Sequence, residues 1–163
     1  MAAVTVVTGP APFRRVFSCY HPAMFRVVLA ALLLLAPSVA VATCYDWPLR
    51  GNQPAYDGDT LRITMPGLPP ELSEMLVRVS GVDTPEIRGK CEAEKTLAIE
   101  ARNYVNAVLA QARSVQFCNP KWGKYGKRVV ADVVLDGKSL AATLIERGLG
   151  RPYDGGRRKG WCQ

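Results

Sequence analysis

Two short segments of alternating character, each joined to a compact acidic turn, set what this chain can fold into. TLRITM (60–65) places Leu61, Ile63 and Met65 against Arg62 and Thr64, and MLVRVSGV (75–82) places Met75, Val77 and Val79 against Leu76 and Arg78. A period of two is the mark of a half-buried strand. DGDT (57–60) leads into the first strand and DTPE (83–86) leaves the second, with Arg78 the single arginine of the second segment. Hard divalent cations take carboxylate and carbonyl oxygens, and a guanidinium beside them suits a phosphate-sized anion.

The remaining chain supplies the frame. TCYDWPLRGNQPA (43–55) contains two prolines and predicts an irregular lead-in with at most a short edge strand. PGLPPELSE (66–74) reads as a turn or surface loop. From Glu92 to Gln111 the period becomes helical: Leu97, Ala101, Tyr104 or Val105, Val108 and Leu109 form one stripe, with Glu94, Arg102, Asn106 and Arg113 facing elsewhere. SVQFC (114–118) and VVADVVL (129–135) read as strands, the second closed by Asp136-Gly137. SLAATLIERG (139–148) predicts a short helix with Leu140, Leu144 and Ile145 inward. The tail is irregular, with Trp161 and Cys162 as its anchor. This order predicts a mainly β fold with helices, a small, highly curved antiparallel barrel packed by one long and one short helix.

Residues 27–42, VVLAALLLLAPSVAVA, follow Arg26 and end in Ala40-Val41-Ala42, the pattern of a secretory signal cleaved before Thr43. Residues 1–42 are therefore expected to be an N-terminal extension and signal, translated from Met1 or from Met24, and 43–163 one exported domain, periplasmic or secreted. An uncleaved N-terminal anchor is the competing reading. The leader holds three arginines and no acidic residue, so its loss lowers the formal charge of +7 by three and leaves a mild bias towards polyanions. It also takes away His21, the sole histidine, which excludes Ser-His-Asp, Cys-His and imidazole-metal chemistry from the mature chain.

Four cysteines remain, an even number suited to an oxidising compartment: Cys44, Cys91, Cys118 and Cys162. Three pairings are open. Chain ends often lie together, which favours Cys44 with Cys162 and Cys91 with Cys118. A zinc site is the competing use, without any Cys-x2-Cys to support it.

Asp59 and Asp83 are the metal-ligand candidates, with the Thr84 carbonyl as a third oxygen. Taken singly, DGDT also reads as an ordinary Asx-type turn and DTPE as a helix entry. Glu86 lies three residues beyond Asp83, where a carboxylate can orient or deprotonate a water, or simply favour a helix N-terminus. Arg78 on an apolar strand calls for a buried anion, and Arg128 supplies a second fork. Lys121, Trp122, Lys124, Tyr125 and Lys127 interleave charge and rings as single-stranded nucleic-acid grooves do, and a solvated loop explains them equally. Arg151, Tyr153, Arg157, Arg158 and Lys159 repeat the theme in the tail.

Through DGDT (57–60), VRVSGVDTPE (77–86), KYGKR (124–128) and IERGLGRPY (145–153), the chain resembles the thermonuclease family, the staphylococcal nuclease-like domain, over residues 56–153. The resemblance implies a five-stranded OB-type barrel and hydrolysis of phosphodiesters in DNA and RNA, dependent on one Ca²⁺, with a preference for unpaired or frayed strands. It implies metal ligation by Asp59, Asp83 and the Thr84 carbonyl, water activation by Glu86, and phosphate clamping by Arg78 and Arg128. Tyr125 would meet the terminal phosphate or sugar, with Lys124, Lys127 and Tyr153 as further substrate contacts. Nothing in the sequence demands an oligomer, and a monomer is expected. The family usually reads Tyr-Gly-Arg, whereas Tyr125-Gly126-Lys127-Arg128 has one residue more; counting back from Asp136-Gly137 assigns the clamp to Arg128 rather than Lys127. The loop after Glu86 is short, and the tail with Trp161 stands where the family's best-known member has a C-terminal helix. A non-catalytic OB module binding nucleic acid or another polyanion is the rival class, distinguished by salt-sensitive binding without turnover.

Overall fold

The computed structural model describes residues 42–162. The expected export signal lies, but for its last residue, outside the described residues. In chain order the elements are β1 (Cys44–Tyr45), β2 (Thr60–Thr64), α1 (Pro70–Ser73), β3 (Glu74–Val79), β4 (Val82–Asp83), α2 (Glu92–Gln111), β5 (Val115–Trp122), β6 (Arg128–Leu135), β7 (Lys138–Ser139), α3 (Leu140–Glu146) and β8 (Arg151–Pro152). The fold is a mixed, mainly β assembly with three helices among the described residues. None of those helices is long and apolar enough to cross a membrane.

The main sheet runs β1-β5-β6-β3-β2, with β7 on β6, and a second small sheet pairs β4 with β8. The expected strands are present, but the expected all-antiparallel order is not: β3 and β6 run parallel, Val77 opposite Val129. A parallel neighbour requires a long crossover, and the segment carrying α2 and β5 provides one. Nor do the strands among the described residues form a closed sheet. The lead-in pairs with β5 at Cys44 and Tyr45, then touches β2 only through isolated bridges, Leu49 to Ile63 and Ala55 to Leu61. Proline explains the interruption, because Pro48 and Pro54 offer β2 carbonyls and no N–H: Pro48 accepts from Thr64 at 2.9 Å and Pro54 from Arg62 at 2.8 Å.

The core lies between this curved sheet and the helices. Leu61, Ile63, Val77, Val79, Phe117, Val133, Leu140 and Leu144 are inaccessible or nearly so. Helix α2 has the predicted bounds and buries Ala98, Ala101, Val105 and Leu109 at helical spacing, with Leu97, Tyr104 and Val108 half-buried beside them. Its polar face was misjudged at one position: Glu94 is buried, for a reason that belongs to the site. The hairpin at Asp136-Gly137 is formed as expected, both residues having positive φ, 46° and 81°.

The disulfides differ from the favoured pairing. Cys44 bonds Cys118, and Cys91 bonds Cys162. Cys44 stands opposite Cys118 in the β1–β5 register, so the N-terminal cysteine is satisfied inside the sheet. The tail returns instead across the start of α2, where Cys91 is the cap residue. With all four cysteines among the described residues bonded in pairs, none of them is left as a free thiolate for zinc.

Candidate active site

Strand register builds the centre of the site. Thr60 pairs with Arg78 across β2 and β3, which draws the DGDT turn alongside the arginine. A Cβ on Gly58 would stand 2.8 Å from Thr84 Cγ2 and 2.9 Å from Ala101 Cβ, so only glycine lets this turn sit between the second acidic turn and α2. The side chains of Asp59 and Arg78 form an ion pair through Oδ1 and Nη1, with the Thr60 hydroxyl donating to the same oxygen at 3.1 Å. Asp59 Oδ2 accepts the Thr84 N–H at 2.9 Å. The other arm of Arg78 reaches Asp83 Oδ1 at 3.4 Å and the Val82 carbonyl at 3.3 Å. One buried guanidinium thus spans both turns and brings Asp59, Asp83 and Thr84 together.

Negative charge exceeds positive in this buried centre. Asp57, Asp59 and Asp83 are all buried, with Arg78 the one buried cation among the described residues. Burial, then the neighbouring Asp59 charge, pushes the Asp57 carboxyl up to about 7 despite the N–H that Asp59 donates to it at 3.1 Å. Burial also raises Asp59, with Arg78 and the Thr84 N–H acting against it. The Thr84 hydroxyl is buried without a partner. Three buried carboxylates thus face one buried guanidinium, a charge balance that a divalent cation would improve. Asp57 is not among the ligand candidates read from the sequence, although it opens the same acidic turn.

A cleft of about 990 Å³ opens beside this centre, lined by Arg78, Glu86, Lys124, Tyr125, Arg128 and Tyr153, among others. The Arg128 guanidinium lies 5.7 Å from the Tyr125 ring centroid, and Arg78 lies 6.0 Å from that of Tyr153. Lys121 and Trp122 lie elsewhere, beside Tyr45 and Trp47, and Lys127 is likewise not brought in. Its backbone has φ 57°, and its Nζ donates to the Glu71 carbonyl at 3.3 Å. The residue after it enters β6 opposite Leu76, so the extra position in KYGKR is taken up by an outward turn and the following arginine lines the cleft.

Three further side chains belong to the site. Glu94 accepts the Lys90 N–H at 2.9 Å and the Glu86 N–H at 3.5 Å, holding the chain that carries Glu86. Trp161 donates its indole N–H to Asp83 Oδ2 at 3.3 Å. Arg158 places Nε 3.1 Å from Asp83 Oδ1 and pairs through Nη1 with Glu86. Partial burial opposes the Arg158 charge, but the bond to Glu86 and the charges of Asp83 and Glu86 outweigh it and raise its pKa further. The sequence marked this tail as basic and anchored. Only the Cys91 pairing reveals where it lies.

The family model of staphylococcal nuclease homologues matches residues 76–159, and the chain belongs to that family. The matched segment contains Arg78, the second acidic turn, Arg128 and Arg158; the first acidic turn precedes it and joins the site through the β2–β3 pairing. A search of curated proteins gives no match.

Proposed function

We propose that this protein is a divalent-cation-dependent nuclease, calcium being the ion its oxygen donors suit, that hydrolyses phosphodiester bonds of DNA and RNA with a preference for single-stranded or frayed substrate. The observation that carries the reading is the convergence of Arg78, Glu86 and Arg128 on one cleft against the buried carboxylates of Asp59 and Asp83. Asp59, Asp83 and the Thr84 carbonyl would hold the ion, with Asp57 contributing charge from the same turn. When bound, the ion would neutralise these carboxylates and act as a Lewis acid on the phosphoryl group.

Glu86 accepts a proton from water as that water attacks phosphorus; it is half-exposed at the cleft and faces no histidine rival in the mature chain. Arg78 and Arg128 donate to the non-bridging oxygens, where charge builds as the trigonal bipyramid forms. Tyr125 and Tyr153 offer rings at the cleft wall for a base or sugar, and Lys124 a cation for a neighbouring phosphate. An unpaired strand can lay its bases against such walls without first paying for unstacking. Two disulfides accord with an oxidising, exported location, and the domain is read as acting as a monomer.

Digestion of single-stranded DNA by residues 43–163, with and without chelator, tests this. Cleavage should require Ca²⁺, and Glu86→Gln should lower kcat by about 10²–10⁴-fold. Salt-sensitive binding with no turnover in Ca²⁺ would instead place the protein among non-catalytic polyanion-binding modules.

A further inference from the structure

We propose that the C-terminal tail is a disulfide-held strap whose Arg158 competes with a divalent cation for Asp83 and Glu86, so that the strap sets the cation affinity of the site. The inference rests on the metal-dependent reading above and concerns how that site is controlled.

The tail beyond β8 has no regular secondary structure, yet it is fixed at both ends. At one end β8 pairs with β4, Arg151 opposite Asp83; at the other Cys162 is bonded to Cys91. Between them Arg151 donates to the Gly160 carbonyl at 3.0 Å and lies 3.5 Å from the Trp161 ring centroid, and Tyr153 donates its hydroxyl to the Gly156 carbonyl at 2.8 Å. The strap therefore has a definite shape, and that shape delivers two groups to the acidic turn. Arg158 takes Asp83 Oδ1 and one oxygen of Glu86, while Trp161 takes Asp83 Oδ2. Both oxygens of a proposed metal ligand, and one of the proposed base, are engaged by the tail.

Exposure identifies which arginine can leave. The Arg78 side chain is 10% exposed and its Asp59 partner 1%, whereas Arg158 is 40% exposed and Glu86 44%. Breaking the first pair strands buried charge, whereas breaking the Arg158–Glu86 pair returns both partners to water at little cost; Asp83, 6% exposed, would be left needing a cation, which an entering ion supplies. Arg158 is thus the exchangeable cation of the site. Asp83 already faces two guanidiniums, Arg78 and Arg158, so a further positive charge there is opposed by repulsion unless the exposed one, Arg158, swings away. The Cys91–Cys162 bond keeps the arginine at high effective concentration, and opening it would leave the far end of the tail held only by non-covalent contacts.

Calcium titration by calorimetry, without nucleic acid, tests the strap on wild type, Arg158→Gln, Arg158→Lys and the Cys91→Ser/Cys162→Ser double variant. Arg158→Gln should bind Ca²⁺ about tenfold tighter or more, from loss of one close positive charge. Arg158→Lys should stay near wild type, and the double variant should bind several-fold tighter. In wild type the Trp161 indole N–H resonance, identified by its absence from Trp161→Phe, should shift during the titration. Equal or weaker binding by Arg158→Gln, with Ca²⁺-dependent cleavage intact, overturns the strap and leaves the nuclease reading standing. If neither wild type nor Arg158→Gln binds Ca²⁺, the metal reading falls and the strap with it.

Discussion

Lys127 and Arg128 are adjacent in sequence and serve different surfaces: Lys127 donates its Nζ to the Glu71 carbonyl, while Arg128 lines the cleft with Glu86 and Arg78. Either could fill the clamp position by composition alone. The positive φ of Lys127 favours Arg128 for that role, because it turns one side chain out before β6 begins. Arg128→Ala should reduce kcat on single-stranded DNA by about 10²–10³-fold, the usual loss for a group that stabilises transition-state charge. Lys127→Ala should leave kcat within about threefold, as expected of a rim cation. A larger loss at Lys127 than at Arg128 in the same assay would reverse the assignment.

Gly58 is the contact point between the two acidic turns and α2. Its φ is ordinary, so the restriction is space: a new methyl meets Thr84 and Ala101 below 3.0 Å. Gly58→Ala should cost about 1–3 kcal/mol in urea unfolding, the range for overpacking a tight interior. It should also weaken Ca²⁺ binding, because the displaced neighbour is the turn that carries Asp83 and Thr84. Gly58→Ala paired with Ala101→Gly relieves one of the two contacts and should recover part of the stability.

Much of this architecture was legible in the sequence. Alternation located β2 and β3, helical period bounded α2, and the two acidic turns with Arg78 marked the centre, because these features follow from local pattern. What escaped depended on distant partners. Glu94 looked like a solvent-facing helix residue, since its partners, the N–H groups of Glu86 and Lys90, become neighbours only once the loop folds back. Arg158 looked like one more tail cation, because which cysteine holds the tail is a matter of topology and no spacing rule fixes it. The parallel β3–β6 pairing and the open sheet likewise reflect crossover and proline placement over long separations.

Asp57 makes the metal-free protein sensitive to pH. Its folded pKa of about 7 lies above the ordinary 3.8 of this carboxyl, so the folded state binds this proton more tightly than the unfolded chain does. The stability this group confers is complete below pH 3.8 and is lost as pH rises through 7. In chelator, unfolding free energy should therefore fall across that window, with a slope of up to about 1.4 kcal/mol per pH unit from this carboxyl. Asp57→Asn should flatten the slope and stabilise the chelated protein at pH 7.5. If the chelated wild type grows steadily more stable from pH 4 to pH 7, and Asp57→Asn changes nothing, the raised pKa is refuted.

Arg78 has a structural task separable from its proposed chemical one. It is the buried counter-charge for Asp59 and Asp83, both nearly inaccessible, and its two arms hold the turns in register. Removing one partner of a buried ion pair typically costs about 3–5 kcal/mol, because the remaining charge is stranded. Arg78→Met in chelator should lose stability on that scale, and Arg78→Lys less, since an ammonium keeps the charge but lacks the fork that reaches two carboxylates. The penalty arises from stranded carboxylates, so Asp59→Asn in the Arg78→Met background should recover part of it, a coupling that urea unfolding of the double-mutant cycle measures. Ca²⁺ should also rescue Arg78→Met more than wild type, because the ion supplies the missing positive charge, while cleavage stays low for want of the clamp. Strict additivity of the two substitutions, with no differential rescue by Ca²⁺, would show that Arg78 and the acidic turns do not form one electrostatic unit.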